Sequence, residues 1–461
     1  MPGLAFAAAT AVLGASFVTS PYAQAQGLTD AQLDEVKDNL WFAAQQTWEI
    51  GTEAQALVES DAPAYAVFAD ASLPPPTGNS SSSYNYTALQ PVLQIAYNTA
   101  YNRSNMTGPQ PLMYVERGAA GDPASIGVAM LIANWTGTPE PELDRPVSVD
   151  SPYGTSVGQG VTYARAAEEQ LEYLLTVVPR TSDGAISHRV ETTQLWSDSV
   201  YMVPPFLAYY GVLSSNQSLV QEAYNQVKLY RSYLYNSSES LWQHILLGTG
   251  AYDPGYWSTG NGWAAAGMVR VLATIQHSHF AEIHTGMYSR QDASTSLFHN
   301  YANNATWFLD SSSTALLAST VYRLAALQGV YTHIPHAEAA RAALSASAPA
   351  GESEYTAWGT GDGLCDAHPG GLGEGLSHFS PQMWVTPVVD PYNWNAQGGS
   401  SPEGQAFVVE MYAAWRDWVE LGSPGASDSR RSVNELVRGA SGGVLGRVAR
   451  MWRWRRQHHG L

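Results

Sequence analysis

The sequence predicts an all-α protein, an (α/α)6 barrel of six helical hairpins. Three observations point there. Apolar residues recur at helical spacing in separated blocks at 28–50, 87–101, 124–135, 158–177, 192–213, 216–235, 262–276, 313–328, 336–346 and 402–420. Strand signals are few. Small-residue faces such as Ala264, Ala265 and Ala266 suit close helix contact. Helices of this length, paired and repeated about six times, suggest a toroid. No clean sequence repeat accompanies them, so a helical solenoid and an irregular all-α domain stay open at this level.

In chain order, residues 3–19 are apolar but too short to span a bilayer, and Ala23-Gln24-Ala25 follows as a small-x-small cleavage pattern. Residues 1–25 therefore read as a signal peptide. Sequons at Asn79, Asn85, Asn102, Asn105, Asn134, Asn216, Asn236 and Asn304 fit a secreted, glycosylated protein. Thr29-Asp30 with Gln32 marks a helix start, as does Pro402-Glu403. Residues 71–83 form a Pro/Ser-rich loop, and 347–400 a long Gly-dense segment of the kind that is usually functional or disordered. The body, 26–423, ends at a basic tail, 424–461, that reads as disordered.

Charge excludes some functions. The chain has 461 residues and a formal charge of −18. Eight of its 22 basic residues lie after residue 424, leaving the body with 14 basic and 38 acidic residues. Such a surface repels nucleic acid. No later run approaches a membrane span. Cys365 is the only cysteine, so an intramolecular disulfide and a Cys-based zinc site are both excluded. No metal-ligand spacing such as His-Glu-x-x-His occurs, and no cofactor is implied. A monomer is expected.

The densest chemical signal is Gln194 to Phe206. Asp198 sits among Trp196, Tyr201, Met202 and Phe206, a setting that raises a carboxyl pKa and suits a general acid. The same Asp could instead cap the helix that follows. Trp257 and Trp263 flank a turn, Gly260-Asn261-Gly262, in which glycines let backbone approach a ligand and Trp offers a stacking platform. His244 lies between these motifs in Leu241-Trp242-Gln243-His244. Asp122, before an apolar helix, reads alone as a cap.

Taken in order, these blocks resemble glycoside hydrolase family 105, the unsaturated rhamnogalacturonyl hydrolases, with family 88 related. Asp122, Trp196-Ser197-Asp198, His244 and Trp257 to Trp263 carry the resemblance, supported by 310–327 and 401–418. It covers roughly residues 30–420. It implies the (α/α)6 barrel and a hydrolysis begun by hydrating the 4,5-double bond of an unsaturated galacturonic acid at the end of a pectin fragment. It implies Asp198 as the acid, Asp122 as its polar partner, and His244 and Trp196 as sugar contacts. His188-Arg189 resembles a basic pair preceding the Trp-x-Asp block, with Arg189 toward the substrate carboxylate. Tyr201, Trp257, Asn261 and Trp263 complete the expected binding set. Thr259 stands where family members often carry an Arg, the usual fork for a carboxylate. Two other readings remain: an inverting glycosidase using Asp122 and Asp198 on a saturated sugar, and a sugar-binding barrel without turnover.

Overall fold

The structure, a computed structural model, describes residues 27–426 apart from 70–72, 74, 76–85, 104–106, 115–117, 142–146, 152–153, 159–160, 276–280 and 349–370. The leader, Cys365, the basic residues of the tail and the sequons Asn79, Asn85 and Asn105 lie outside the described residues.

The helices are α1 (Asp30–Ala43), α2 (Thr47–Asp61), α3 (Gln90–Asn102), α4 (Asp122–Ser125), α5 (Gly127–Trp135), α6 (Tyr163–Glu172), α7 (Ser199–Leu213), α8 (Gln217–Leu234), α9 (Ser258–Ile275), α10 (Ala281–Tyr288), α11 (Ser311–Gln328), α12 (Ile334–Leu344) and α13 (Pro402–Glu420). Contacts run α2 to α4 and α5, then to α7, α9, α11 and α13, and from α13 back to α2. That closes an inner ring. Around it α3, α6, α8, α10 and α12 each pack on the inner helix that precedes them, and α1 packs on α13. The six hairpins of an (α/α)6 barrel are thus in place.

Burial follows position in the ring. In α9, every residue from Ser258 to Leu272 is buried, and in α11 every residue from Ser311 to Ala325. Outer α8 buries one stripe, Leu219, Ala223, Gln226, Tyr230 and Leu234, at helical spacing. Inner helices approach closely through glycine. A Cβ on Gly267 of α9 would lie 2.0 Å from the Val200 carbonyl oxygen of α7. Thr29 and Gln32 form a capping box at α1, and the Ser401 hydroxyl accepts from the Gly404 N–H (2.9 Å) at α13.

Three expectations need correction. The block 28–50 is two helices, and most of α2 lies beyond it. Its inward face buries Glu49, Thr52, Glu53, Gln55 and Glu59, so it shows no apolar stripe to read. The short α10 has no block of its own. The block 192–213 becomes a helix only at Ser199, because residues 188–194 form a loop that doubles back, with the His188 N–H donating to Gln194 O (2.8 Å), before the short strand Leu195–Trp196. His188 O accepts from the Ala120 N–H (2.7 Å), and Leu195-Trp196 pairs with Ile245-Leu246. Within 347–400, the described part ends in an antiparallel hairpin, Val388–Asp390 with Asn393–Gly398.

Candidate active site

Loops at the N-terminal ends of the inner helices carry the candidate site. Asp198 directly precedes α7, Asp122 opens α4 and Trp257 directly precedes α9. Short backbone ladders hold these loops side by side. Trp196 pairs with Ile245, the Ser197 N–H donates to His244 O (2.9 Å), and Trp257 bridges to Tyr301.

Asp198 does not cap its helix; its side chain makes no capping bond. Its Oδ2 accepts from the Ser197 hydroxyl (3.1 Å) and lies 3.6 Å from His244 Nε2. The side chain is 15% exposed, so one edge stays open. Burial raises its pKa, opposed by the nearby His244. Asp122 makes no capping bond either. Burial, with the neighbouring Asp198 charge, pushes its pKa up to about 7, against the pull of Arg189. The two carboxyls thus sense each other and the same guanidinium.

Aromatic rings and two histidines wall these acids. His188 stacks on Trp196 at 4.5 Å, bonds Ser199 Oγ through Nδ1 (2.7 Å) and sets Nε2 3.9 Å from Asp122 Oδ1. Burial first, then Arg189, holds His188 well below the ordinary imidazole range, so it is neutral. The Arg189 guanidinium lies over the Trp196 ring at 4.7 Å. His244 is enclosed by Trp257 at 4.4 Å, Trp394 at 5.2 Å and Trp196 at 5.5 Å.

The structure therefore brings together Asp122, His188, Arg189, Trp196, Asp198, His244 and Trp257. Tyr201, Asn261 and Trp263 go elsewhere. The Tyr201 hydroxyl donates to Glu410 of α13 (2.6 Å) beneath the Arg270 guanidinium. Asn261 spends its amide on the backbone of Trp242 and Trp257. Trp263 packs edge-on between Tyr201 and Phe407. All three sit in the wall of the ring, placed there by the helical periodicity of α7 and α9. The glycines of the turn likewise serve packing: a Cβ on Gly260 would lie 2.4 Å from Ser197 Oγ. Thr259 is buried and donates to Asp310 Oδ2 (2.9 Å).

Sequence reasoning missed Asp253, Asn300, Tyr301 and Trp394. Asp253 Oδ2 lies 2.9 Å from His244 Nδ1 and accepts from the Tyr301 hydroxyl (2.5 Å). Asn300 accepts from the Trp257 indole N–H (3.0 Å) and donates to Trp394 O (2.7 Å). Trp394 comes from the hairpin of the long 347–400 segment, whose length was the one available signal. Among the described residues, no group of three His, Cys, Asp or Glu is placed to hold a metal ion, and no helix is long and apolar enough to cross a membrane.

Residues 158–364 match the model of Glycosyl Hydrolase Family 88. The chain is 24% identical over 181 residues to the unsaturated rhamnogalacturonyl hydrolase YesR of Bacillus subtilis (strain 168), covering 34% of this chain and 51% of that protein. It thus spans about half the length of the curated relative it matches. Among solved structures it resembles a possible member of the GH105 family from Salmonella enterica serovar Paratyphi A, at TM-score 0.57 and 15% identity over 84% of this chain and 93% of that one. A glycosyl hydrolase family 88 protein from Bacteroides vulgatus gives TM-score 0.54 at 14% identity, over 84% and 99%. These structural likenesses speak for the fold. The family 88 stretch contains Asp198, His244 and Trp257, the residues that the fold gathers at one mouth of the ring. The fold is that of a six-hairpin barrel, and over residues 158–364 the sequence is similar to Glycosyl Hydrolase Family 88.

Proposed function

We propose that the chain hydrolyses oligosaccharides that end in a 4,5-unsaturated galacturonic acid, the products of lyase action on rhamnogalacturonan. The observation that carries this is Asp198 itself, an acid with a raised pKa, open on one edge and facing His244, whose ring Trp196, Trp257 and Trp394 enclose. A carboxyl whose pKa is raised by burial holds its proton more firmly and can deliver it to C4 of an enol ether. Water then adds at C5 and gives its proton back to the Asp198 carboxylate, so the acid is regenerated. The hemiketal formed at C5 opens, and the bond to the aglycone breaks. Asp122, whose pKa is pushed up to about 7, can donate a hydrogen bond to the sugar in its protonated form. Arg189, over the Trp196 face, supplies the cation for the uronate carboxylate. The leader pattern and sequons support an extracellular setting.

The test follows absorbance of the conjugated uronate with lyase-digested rhamnogalacturonan as substrate, wild type beside Asp198→Asn. Loss of absorbance with wild type alone supports the reading. If wild type leaves the absorbance unchanged, the reading fails; turnover of saturated glycosides would then favour an inverting hydrolase.

A further inference from the structure

His244 has two ring nitrogens with different fates. Nδ1 meets Asp253 Oδ2 at 2.9 Å. Nε2 is buried with no hydrogen-bond partner, and the group it faces is Asp198 Oδ2 at 3.6 Å. Asp253 is held in turn by three donors: the His244 ring, the Tyr301 hydroxyl, and the Gly255 N–H, which bonds Oδ1 at 2.9 Å. Its backbone is fixed as well, since Asp253 and Ile245 exchange both amide bonds, at 2.7 and 3.1 Å.

We infer that Asp253 is a positioning residue of the proposed reaction: it accepts a hydrogen bond from the Nδ1–H of His244, fixes the imidazole tautomer and leaves a bare Nε2 aimed at Asp198. This deepens the hydrolase reading and rests on it. The hydrogen bonds from His244 and Tyr301 outweigh burial and draw the Asp253 pKa below the ordinary carboxylate value, so Asp253 is ionised. An ionised carboxylate only accepts, so the N–H must be on Nδ1. The ring cannot turn over, because Trp257, Trp394 and Trp196 surround it. With the ring neutral, the lone pair at Nε2 faces Asp198 Oδ2 at 3.6 Å and disfavours its anion, whereas a cationic ring would draw the carboxyl toward ionisation. The acid therefore keeps its proton until the substrate draws it away. The opposite tautomer would present an N–H to Asp198 and favour the ionised, unproductive form.

The experiment reads the imidazole nitrogens of 15N-labelled full-length protein by long-range proton–nitrogen correlation, with His244→Gln to assign the signal. Wild type is expected to show His244 protonated at Nδ1 and bare at Nε2, a readout that needs no turnover. In Asp253→Asn the amide NH2 donates to Nδ1 and moves the proton to Nε2. On lyase-digested rhamnogalacturonan, kcat should then fall by up to about 10^4-fold with KM little changed, as for a catalytic histidine held in the wrong tautomer. Asp253→Glu should restore the Nδ1 proton and part of kcat. An Nε2-protonated His244 in wild type, or a kcat unchanged in Asp253→Asn, overturns the inference. If wild type fails to consume the unsaturated substrate while His244 shows the expected tautomer, the hydrolase reading fails and the positioning geometry stands.

Discussion

The ring buries charge at both of its ends, and the two ends treat it oppositely. Away from the mouth, the buried carboxylates of Glu59 and Glu410 meet guanidinium groups. Arg270 reaches Glu59 (2.6 Å) and Glu410 (2.9 Å), while Arg323 reaches Glu59 (3.2 Å) and Asp417. At the N-terminal mouth, Asp122 and Asp198 have no arginine within ion-pair distance among the described residues; their ion-pair contacts there are histidine nitrogens at 3.9 and 3.6 Å. Burial at the far end is compensated and structural. Burial at the mouth is left uncompensated, which is what holds protons on carboxyl groups for chemistry.

Asp198→Asn gives the largest effect that could break this contrast. It removes the proton donor, so kcat should fall by about 10^2–10^4-fold. Thermal stability should hold or rise, because a buried acid is replaced by a neutral amide. A protein that instead melts early would make Asp198 a structural residue. Arg270→Met should do the reverse. It strands Glu410 and leaves Glu59 with Arg323 alone, and breaking a buried pair costs about 3–5 kcal/mol. Denaturant midpoints measure that loss, and any activity that survives should keep its KM. Stability close to wild type would show the far-end network to be dispensable.

Asp122→Asn sharpens the contrast through pH. The carboxyl titrates at about 7 in the folded chain, up from its ordinary value of 3.8. Between those values the folded state binds more protons than the unfolded one, so this group makes stability fall as pH rises through that window and level off above it. The variant lacks that slope. It should match wild type near the acid end and exceed it by roughly a few kcal/mol above neutral pH. Denaturant titrations across that range check it, and parallel curves for the two proteins would refute the unpaired-acid picture of the mouth.

The same contrast explains what could be read from sequence. Outer helices such as α8 show one apolar stripe, and Asp198 stands out because aromatic residues crowd it locally. Inner helices hide their role. α2 carries Glu49, Glu53 and Glu59 on buried faces, and nothing in a linear pattern says that Glu59 will meet Arg270 across 211 residues. Tyr201 and Trp263 lie close in sequence to site residues, yet helical rotation turns them into the wall. Trp394 reaches the site from 150 residues beyond His244, and only the closure of the ring brings the two rings within 5.2 Å. Local chemistry was legible; pairings made by closure were not.

Thr259 is where the contrast is most finely drawn, because it stands at a position where the resembled family often places an arginine. Its hydroxyl is committed inward to Asp310 Oδ2, beside the Ser313 N–H at 3.0 Å on the same oxygen. Oδ1 of Asp310 accepts from the Ser312 hydroxyl (2.7 Å) and from the Val389 N–H (3.3 Å). Thr259→Val keeps the shape and removes one donor among several. The expected cost is about 1–2 kcal/mol of stability, with KM for the unsaturated substrate unchanged. That outcome assigns Thr259 to the helix-cap network and leaves Arg189 as the cation for the uronate. A raised KM at unchanged stability would instead bring Thr259 into contact with the sugar and move the boundary between mouth and wall by one residue.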